Sequence, residues 1–446
     1  HLSIRRQRQM CIRDRFSTTT ANAYVRPLMA GYLMRLKDKL HEQGMDCPLF
    51  LMMSGGGLTT LDQAARFPIR LVESGPAGGA ILAARVAAEC KLDHVLCYDM
   101  GGTTAKICLI DDGVPERARL FEVARIYRNM KGSGLPVRIP VIELVEIGAG
   151  GGSIARVDAM GRVTVGPDSA GSDPGPACYS LGGTKPTVTD ANIAIGRIDG
   201  DRFAGGKIKL DKSKAEAALR EHVGTPLKLD QHWPAAAVTE IVDENMANAA
   251  RVHAIERGKV IGRYTMVAFG GSAPLHAGRL AQKLGLGRVV IPRGAGVGSA
   301  IGFLRAPIAF EVVRSARVVI DLADIATVNA MLKAMKDEAV AVVETAVPVD
   351  SLREQRIVDV RYVGQGHELR VEVPNKVLGK DDMIKLRESF EAQYRQIYGM
   401  TLQDINVETV TWSVTVSTPD EAVVPSRASP KAAAPKAPAA KKPSAS

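Results

Sequence analysis

Val95-Leu96-Cys97-Tyr98-Asp99-Met100-Gly101-Gly102-Thr103-Thr104-Ala105-Lys106-Ile107-Cys108-Leu109-Ile110 decides the reading of this chain. Two apolar runs flank a glycine pair and two hydroxyls, a pattern that predicts strand, tight turn, strand. Adjacent glycines let backbone N–H groups approach a phosphate closely. Thr103 and Thr104 add hydroxyls for phosphate oxygens or metal-bound water, and Asp99 offers a carboxylate suited to the water shell of magnesium. A plain β-hairpin is the other reading of the same residues.

A second glycine pair follows the apolar run Met266-Val267-Ala268-Phe269: Gly270-Gly271-Ser272-Ala273-Pro274, leading into a helix-like segment that ends at Leu284. Such a corner lets a flat ring and its sugar lie against bare backbone. An ordinary strand-to-helix connection is the alternative. Two small-residue segments frame the set. Glu73-Ser74-Gly75-Pro76-Ala77-Gly78-Gly79-Ala80 precedes the hairpin, and Gly294-Ala295-Gly296-Val297-Gly298-Ser299-Ala300-Ile301-Gly302 follows the second corner. Both predict helices that approach one another closely, as at a hinge between two lobes.

The order of small-residue helix, phosphate hairpin, nucleoside glycine pair and small-residue helix resembles the actin, sugar-kinase and Hsp70 ATPase superfamily. The first phosphate hairpin of that superfamily has no counterpart in residues 1–70, where Met53-Ser54-Gly55-Gly56-Gly57 lacks an acid ahead of it. Between the corners lie Ile147-Gly148-Ala149-Gly150-Gly151-Gly152-Ser153, then Gly171-Ser172-Asp173-Pro174-Gly175-Pro176-Ala177-Cys178-Tyr179, then Pro186-Thr187-Val188-Thr189-Asp190-Ala191-Asn192. Together with the 269–277 segment they resemble the hydantoinase A / 5-oxoprolinase family, which includes the ATP-binding subunits of acetone and acetophenone carboxylases. The resemblance runs through residues 17–420.

That resemblance implies an α/β fold with actin/Hsp70/sugar-kinase-like ATPase lobes, one of them incomplete, plus a smaller C-terminal α+β domain. It implies ATP and magnesium as cofactors and a cyclic amide or a ketone as substrate. The reaction is phosphorylation of an amide or enol oxygen, driving ring hydrolysis or carboxylation. A hydantoinase B-like subunit or domain is the implied partner, within an oligomer. The chain reads as an N-terminally truncated fragment, inactive alone. A carbohydrate kinase of the same superfamily and a scaffold subunit with a degenerate nucleotide site are the rival readings. Lys106 favours the scaffold, because it stands where the family's hairpin carries an aspartate. It is either a point charge on a phosphate or a solvated hairpin residue.

Site residues follow. Gly101, Gly102, Thr103, Thr104 and Lys106 are assigned to phosphate, Asp99 to the magnesium side and to catalysis, and Gly270, Gly271 and Ser272 to the nucleoside. Gly150, Gly151, Gly152 and Ser153 are a second phosphate or oxyanion loop. His276, at the start of a helix, is either a phosphate donor or base, or a satisfied helix-terminal histidine. Asp190 is either a catalytic or metal-polarising carboxylate or a turn cap.

Composition removes other functions. Five arginines against one acid in residues 1–15, and five bases with no acid in 425–446, account for nearly all of the net charge of +10. The body is almost neutral, which argues against a broad nucleic-acid surface. Residues 1–15 read as adapter- or vector-derived sequence or, alternatively, a basic arm. Residues 421–446, rich in Ala, Pro and Lys, read as a disordered tail. The 6 cysteines form no C-x-x-C pair, which suits a reducing cytoplasm and no zinc cage. No apolar run is long enough to span a bilayer. Between the ends, 16–311 reads as the ATPase domain and 312–420 as the α+β domain. Helices are expected over 21–44, 60–67, 74–89, 212–222, 237–257, 326–347 and 380–398. Residues 132–190 read as one long glycine-rich loop.

Overall fold

The computed structural model describes residues 2–124, 126, 132–344 and 352–419, with side chains from Phe16 onward. The Ala/Pro/Lys tail lies outside the described residues. Helix α1 (Leu2–Glu42) runs back through the segment read as foreign. A short antiparallel pair, Phe50–Met52 with Leu58–Thr60, then turns around Gly55–Gly57.

The central layer follows. Helix α2 (Ser74–Cys90) leads into β1 (His94–Met100) and β2 (Ala105–Asp111), and β3 (Val145–Ile147) adds to β2. After helix α3 (Val188–Ala194) and helix α4 (Trp233–Glu256) come β4 (Thr265–Phe269), helix α5 (Ala273–Leu284), β5 (Val289–Val290) and helix α6 (Gly298–Arg305). The sheet order is β3-β2-β1-β4-β5, with Val114–Pro115 pairing onto β2. The 95–110 hairpin is antiparallel, with Asp99 opposite Lys106. β4 lies parallel to β1, with Phe269 beside Asp99.

Both faces of this sheet are covered, which is why its strands read as nearly continuous apolar runs. Leu96, Tyr98, Met100, Ile107, Leu109, Met266 and Ala268 pack against Val242, Met246 and Ala250 of α4 and Ala277 and Leu280 of α5. Val95, Cys97, Cys108, Ile110, Val267 and Phe269 pack against Ala77, Ala80 and Ile81 of α2. The small-residue helices meet as expected. A Cβ built on Gly302 of α6 would stand 1.8 Å from the carbonyl oxygen of Gly78 of α2.

The single-loop reading of 132–190 is corrected. Leu135–Val137 pairs with Phe121–Val123, Val141–Ile142 with Arg117–Ala118, and Ser153–Val157 with Val163–Ser169. β3 and the first turn of α3 also fall within this stretch. These strands are so short, and so often broken by glycine or proline, that no alternation of period two develops.

The C-terminal unit comprises β6 (Ala309–Val319), helix α7 (Ile325–Val343), β7 (Arg353–Tyr362), β8 (Leu369–Val373), helix α8 (Lys380–Tyr398) and β9 (Val407–Ser417). Its sheet is antiparallel in the order β6-β9-β7-β8. β6 is irregular between Ser315 and Val318. Trp412, Tyr362, Phe390, Leu332 and Met335 form its core with the two helices. The other sheet face is polar and docks on the body. Arg119 donates from Nη1 to Asp359 (2.8 Å) and from Nη2 to the Ser413 hydroxyl (2.7 Å).

Candidate nucleotide site

The two glycine corners stand side by side, at the carboxyl ends of neighbouring parallel strands. They do not face each other across a gap. The parallel pairing of β1 and β4 brings Gly101 and Gly270 to one edge, the edge where open α/β sheets place their ligands. Gly270 adopts φ +97°, and a Cβ there would lie 2.5 Å from both Asp99 Oδ1 and the Met100 carbonyl oxygen. The Ser272 N–H donates to that same carbonyl at 2.9 Å. The second corner is thereby tied to the first.

Within the hairpin turn, the Gly101 N–H donates to the Thr104 carbonyl at 3.1 Å. Among the described residues the N–H groups of Gly102, Thr103 and Thr104 take no protein acceptor, and a Cβ on Gly101, Gly102 or Gly271 would meet nothing within 4 Å. The turn therefore presents open backbone with unspent donors. Three helices also begin at this edge. α5 follows Ser272. α6 begins beside Phe269, which a Cβ on Gly298 would meet at 2.8 Å, and α2 passes the same ring at Gly79 (2.7 Å). None of the three has a side-chain cap. Their orphan N–H groups and positive dipole ends favour an anion there.

The Gly150–Ser153 segment is corrected. Its N–H groups are already spent: Gly150 on Ser153 Oγ, Gly151 on the Gly101 carbonyl, Gly152 on the Gly102 carbonyl, and Ser153 on the Gly150 carbonyl. It is a brace stacked under the hairpin turn, with no backbone donor left for a phosphate. Its glycines are needed for that approach, because a Cβ on Gly150 would lie 2.5 Å from the Thr103 carbonyl carbon. Thr189 locks the brace, its hydroxyl donating to the Gly151 carbonyl at 2.8 Å.

Asp190 is buried at the start of α3 and faces inward. It accepts from the N–H groups of Ala177, Cys178 and Thr187 and from the Thr187 hydroxyl. This is the turn-capping reading, and it leaves the carboxylate with no surface toward a ligand. His276 is likewise fully buried, its Nδ1 2.6 Å from Asp243 Oδ1 and its Nε2 accepting from the Asn192 amide at 3.0 Å. It ties α5 to α3 and α4 and does not point into the open corner. Among the described residues Asp243 Oδ2 has no hydrogen-bond partner, with the Arg197 guanidinium 3.8 Å away.

The charged side chains emerge on the α2 and α6 side of the sheet end. Asp99, Lys106 and Glu146 sit opposite one another across β1, β2 and β3. Lys106 Nζ donates to Thr104 Oγ1 at 2.8 Å and lies 3.6 Å from Glu146. Ser299, on α6, donates to Asp99 Oδ2 at 3.1 Å. Burial pushes the Asp99 carboxyl up, against the lowering effects of the Ser299 bond and the Lys106 charge. Glu73, the residue before α2, is also raised, first by burial, with Lys106 opposing and Glu146 adding to it. Sequence reasoning passed over Glu73, Ser299 and Glu146. The first two lie inside the quoted small-residue segments, as polar residues at the helix starts.

Among the described residues no group of three His, Cys, Asp or Glu side chains is arranged to hold a metal ion. A single carboxylate suits a magnesium ion that keeps water and phosphate ligands, and Asp99 fits that requirement. A hollow of about 870 Å³ lies elsewhere, between Gly55–Gly57, Arg70 and the polar sheet face at Arg353, Gln355 and Thr415. No described helix is long and apolar enough to cross a membrane.

The sheet flanked by helices on both faces, with an open glycine edge, defines an ATPase-like α/β protein. Residues 15–312 match the family model described as hydantoinase/oxoprolinase, and the chain belongs to that family. It is 36% identical over 409 residues to an uncharacterized protein of Methanocaldococcus jannaschii, covering 90% of this chain and 58% of that one. It is 32% identical over 400 residues to the caprolactamase alpha subunit of Pseudomonas jessenii, covering 89% and 56%. The solved ATP-dependent caprolactamase of that organism superposes with a TM-score of 0.74 at 30% identity, covering 90% of this chain and 57% of that one. Nucleotide-free acetone carboxylase shares the fold, with a TM-score of 0.71 at 24% identity, covering 87% and 55%. The chain spans just over half the length of these relatives.

Proposed function

We propose that this chain is the nucleotide-handling part of an ATP-dependent cyclic-amide hydrolase. The observation that carries this reading is the convergence of the unspent N–H groups of Gly102–Thr104 with three uncapped helix N-termini at one sheet edge. The preference for a cyclic amide over a ketone draws support from the higher identity to caprolactamase, 30%, than to acetone carboxylase, 24%.

Bound ATP supplies a γ-phosphoryl group that makes an amide carbon a better electrophile. The chain's own part is placement and charge. Gly101, Gly102, Thr103 and Thr104 hold phosphate oxygens, and Lys106 adds a point charge from the β2 side. Asp99, fixed by Ser299, orients a magnesium ion through water. Gly270, Gly271 and Ser272 carry the nucleoside against bare backbone. Asp190, His276 and the 150–153 brace keep these pieces in place and stay away from the chemistry. A second subunit completes the site, and the enzyme works in a soluble, cytoplasmic assembly.

Phosphate release in the presence of magnesium tests the reading. The 446-residue chain alone binds an ATP analogue without turnover, and the full-length protein with its partner releases ADP in response to lactams or hydantoins. Clear turnover by the chain alone refutes the need for the missing parts. Response to polyols instead identifies a carbohydrate kinase, and absence of nucleotide binding identifies a scaffold.

A further inference from the structure

The hollow between the body and the C-terminal unit has no part in the scheme above. It lies away from the nucleotide edge. Ile81, Ala84 and Ala88 of α2 line it, and Ala88 is about 13 Å further along the helix axis than Gly79, the residue beside the strand end. The Asp112–Pro115 turn also lines it, at the end of β2 remote from the phosphate turn. Its volume of about 870 Å³ suits a small molecule.

The two walls differ. Gly55–Gly57, Ile81 and Ala84 make one of them bare and apolar. The other is the polar face of the C-terminal sheet, where Glu311 of β6 is opposite Thr415 of β9 and Thr415 is opposite Gln355 of β7. Gln355 in turn donates to Glu372 of β8 at 3.2 Å. A charge without a counter-ion stands at each end of this row. Arg70 is half-buried over the Phe310 ring, 5.0 Å from its centroid, and spends Nη1 on the Glu311 carbonyl at 3.2 Å. The Glu311 carboxylate turns to Arg119 instead, at 3.7 Å. Among the described residues no carboxylate stands at ion-pair distance from Arg70, and no cation at ion-pair distance from Glu372. A guanidinium withdrawn from water without an anion is costly, and its fork of donors fits a carboxylate. Arg356 and Glu354, which also line the hollow, neutralise each other.

We propose that this hollow is a second small-molecule site, taking an ω-amino acid whose carboxylate lies on Arg70 and whose ammonium lies on Glu372. The row from β6 to β8 crosses three strand spacings, about 14 Å. With an ionic hydrogen bond of about 2.8 Å at each end, about 8 Å remains. An extended chain of about five methylenes between carboxylate and ammonium fills that length, and its methylenes lie along the Gly55–Gly57 and Ile81 wall. The carboxylates of Glu311 and Glu372 on the same wall oppose a dianion such as phosphate. An ω-amino acid is also what opening a lactam ring leaves behind. That link alone rests on the cyclic-amide reading; the site itself does not. With it, the enzyme holds its product at a place remote from the nucleotide.

Titration calorimetry on the 446-residue chain tests it, with 6-aminohexanoate, hexanoate and hexylamine as probes. 6-Aminohexanoate binds with a Kd of about 1 mM or below, and each half-ligand binds at least about tenfold more weakly. A non-hydrolysable ATP analogue leaves that binding in place. Glu372→Gln lowers the affinity for 6-aminohexanoate to that for hexanoate and leaves hexanoate unchanged. Arg70→Gln abolishes binding of both. Glu372 is exposed on the edge strand β8, so its variant judges the site even where Arg70→Gln fails to fold. Absence of 6-aminohexanoate binding at about 10 mM overturns the proposal. So does hexanoate binding equally well, displacement by the analogue, or wild-type affinity in Glu372→Gln. Binding that meets every expectation, in a full-length protein whose ATP turnover ignores lactams and hydantoins, upholds the site and overturns the functional reading instead.

Discussion

Gly78 of α2 and Gly302 of α6 meet backbone to backbone, so closely that one methyl group cannot be inserted between them. Neither helix can yield without moving the elements that carry Glu73 and Ser299. Gly302→Ala is expected to destabilise the protein by about 1–3 kcal/mol, the usual cost of overpacking a tight contact. Gly278→Ala, in the middle of α5 with nothing within 4 Å of its added methyl, is expected to stabilise by about 0.5–1 kcal/mol through helix propensity. Urea unfolding of the two variants checks the contrast.

The adjacent glycines of the nucleoside corner should fail in different ways. Gly270→Ala combines a left-handed backbone with contacts of 2.5 Å to Asp99 and Met100, so both melting temperature and nucleotide affinity fall. Gly271→Ala meets no protein atom. It leaves the melting temperature unchanged and weakens an ATP analogue about tenfold, or about 1.4 kcal/mol, because the methyl occupies the ligand's approach. Calorimetric titration beside thermal melts separates the two.

Asp190→Asn is expected to cost about 3 kcal/mol of stability. The buried carboxylate accepts four bonds from backbone N–H groups and a hydroxyl, and the amide replaces acceptor capacity with donors that face donors. Chemical denaturation reads the loss. A variant that unfolds with the wild type but has lost activity would return Asp190 to the chemistry.

The α4–α5 pairing carries a pH signature. Bonds from Arg279 and Lys283 hold the Glu240 carboxyl down at about 2. Because the folded value lies below the unfolded one, the contribution is complete above the ordinary glutamate range. It fades as pH falls from about 4.5 toward 2. Glu240 and Arg279 are solvent-exposed, so the contribution is modest. Glu240→Gln should therefore melt slightly below the wild type at neutral pH and together with it near the acid end, read by melts across that range.

Much of this architecture was legible because the strands are buried on both faces. Runs such as 95–100 and 266–269 carry their own signal, and glycine pairs mark where they end. The relation between the corners was not legible. Whether Gly101 and Gly270 oppose or adjoin each other depends on strand order, which neither segment encodes locally. The Gly150–Ser153 segment misled for a related reason. Consecutive glycines state that backbone comes close to something, and here the neighbour is the 101–103 turn of the same chain. His276 and Asp190 were read from residue type, while burial among Asn192, Asp243 and Thr187 decides what they do. Glu73 and Ser299 were in view but lay among small residues read only for packing.

The pairing of Asp99 with Phe269 also bears on how the molecule assembles. The strands that form the glycine edge are separated by most of the central body, so the edge belongs to the non-local contacts that close late and slowly. A chain emerging from the ribosome completes the first hairpin long before its parallel neighbour exists. Recovery of nucleotide affinity during refolding would then trail recovery of helical signal, and would time the closing of the sheet.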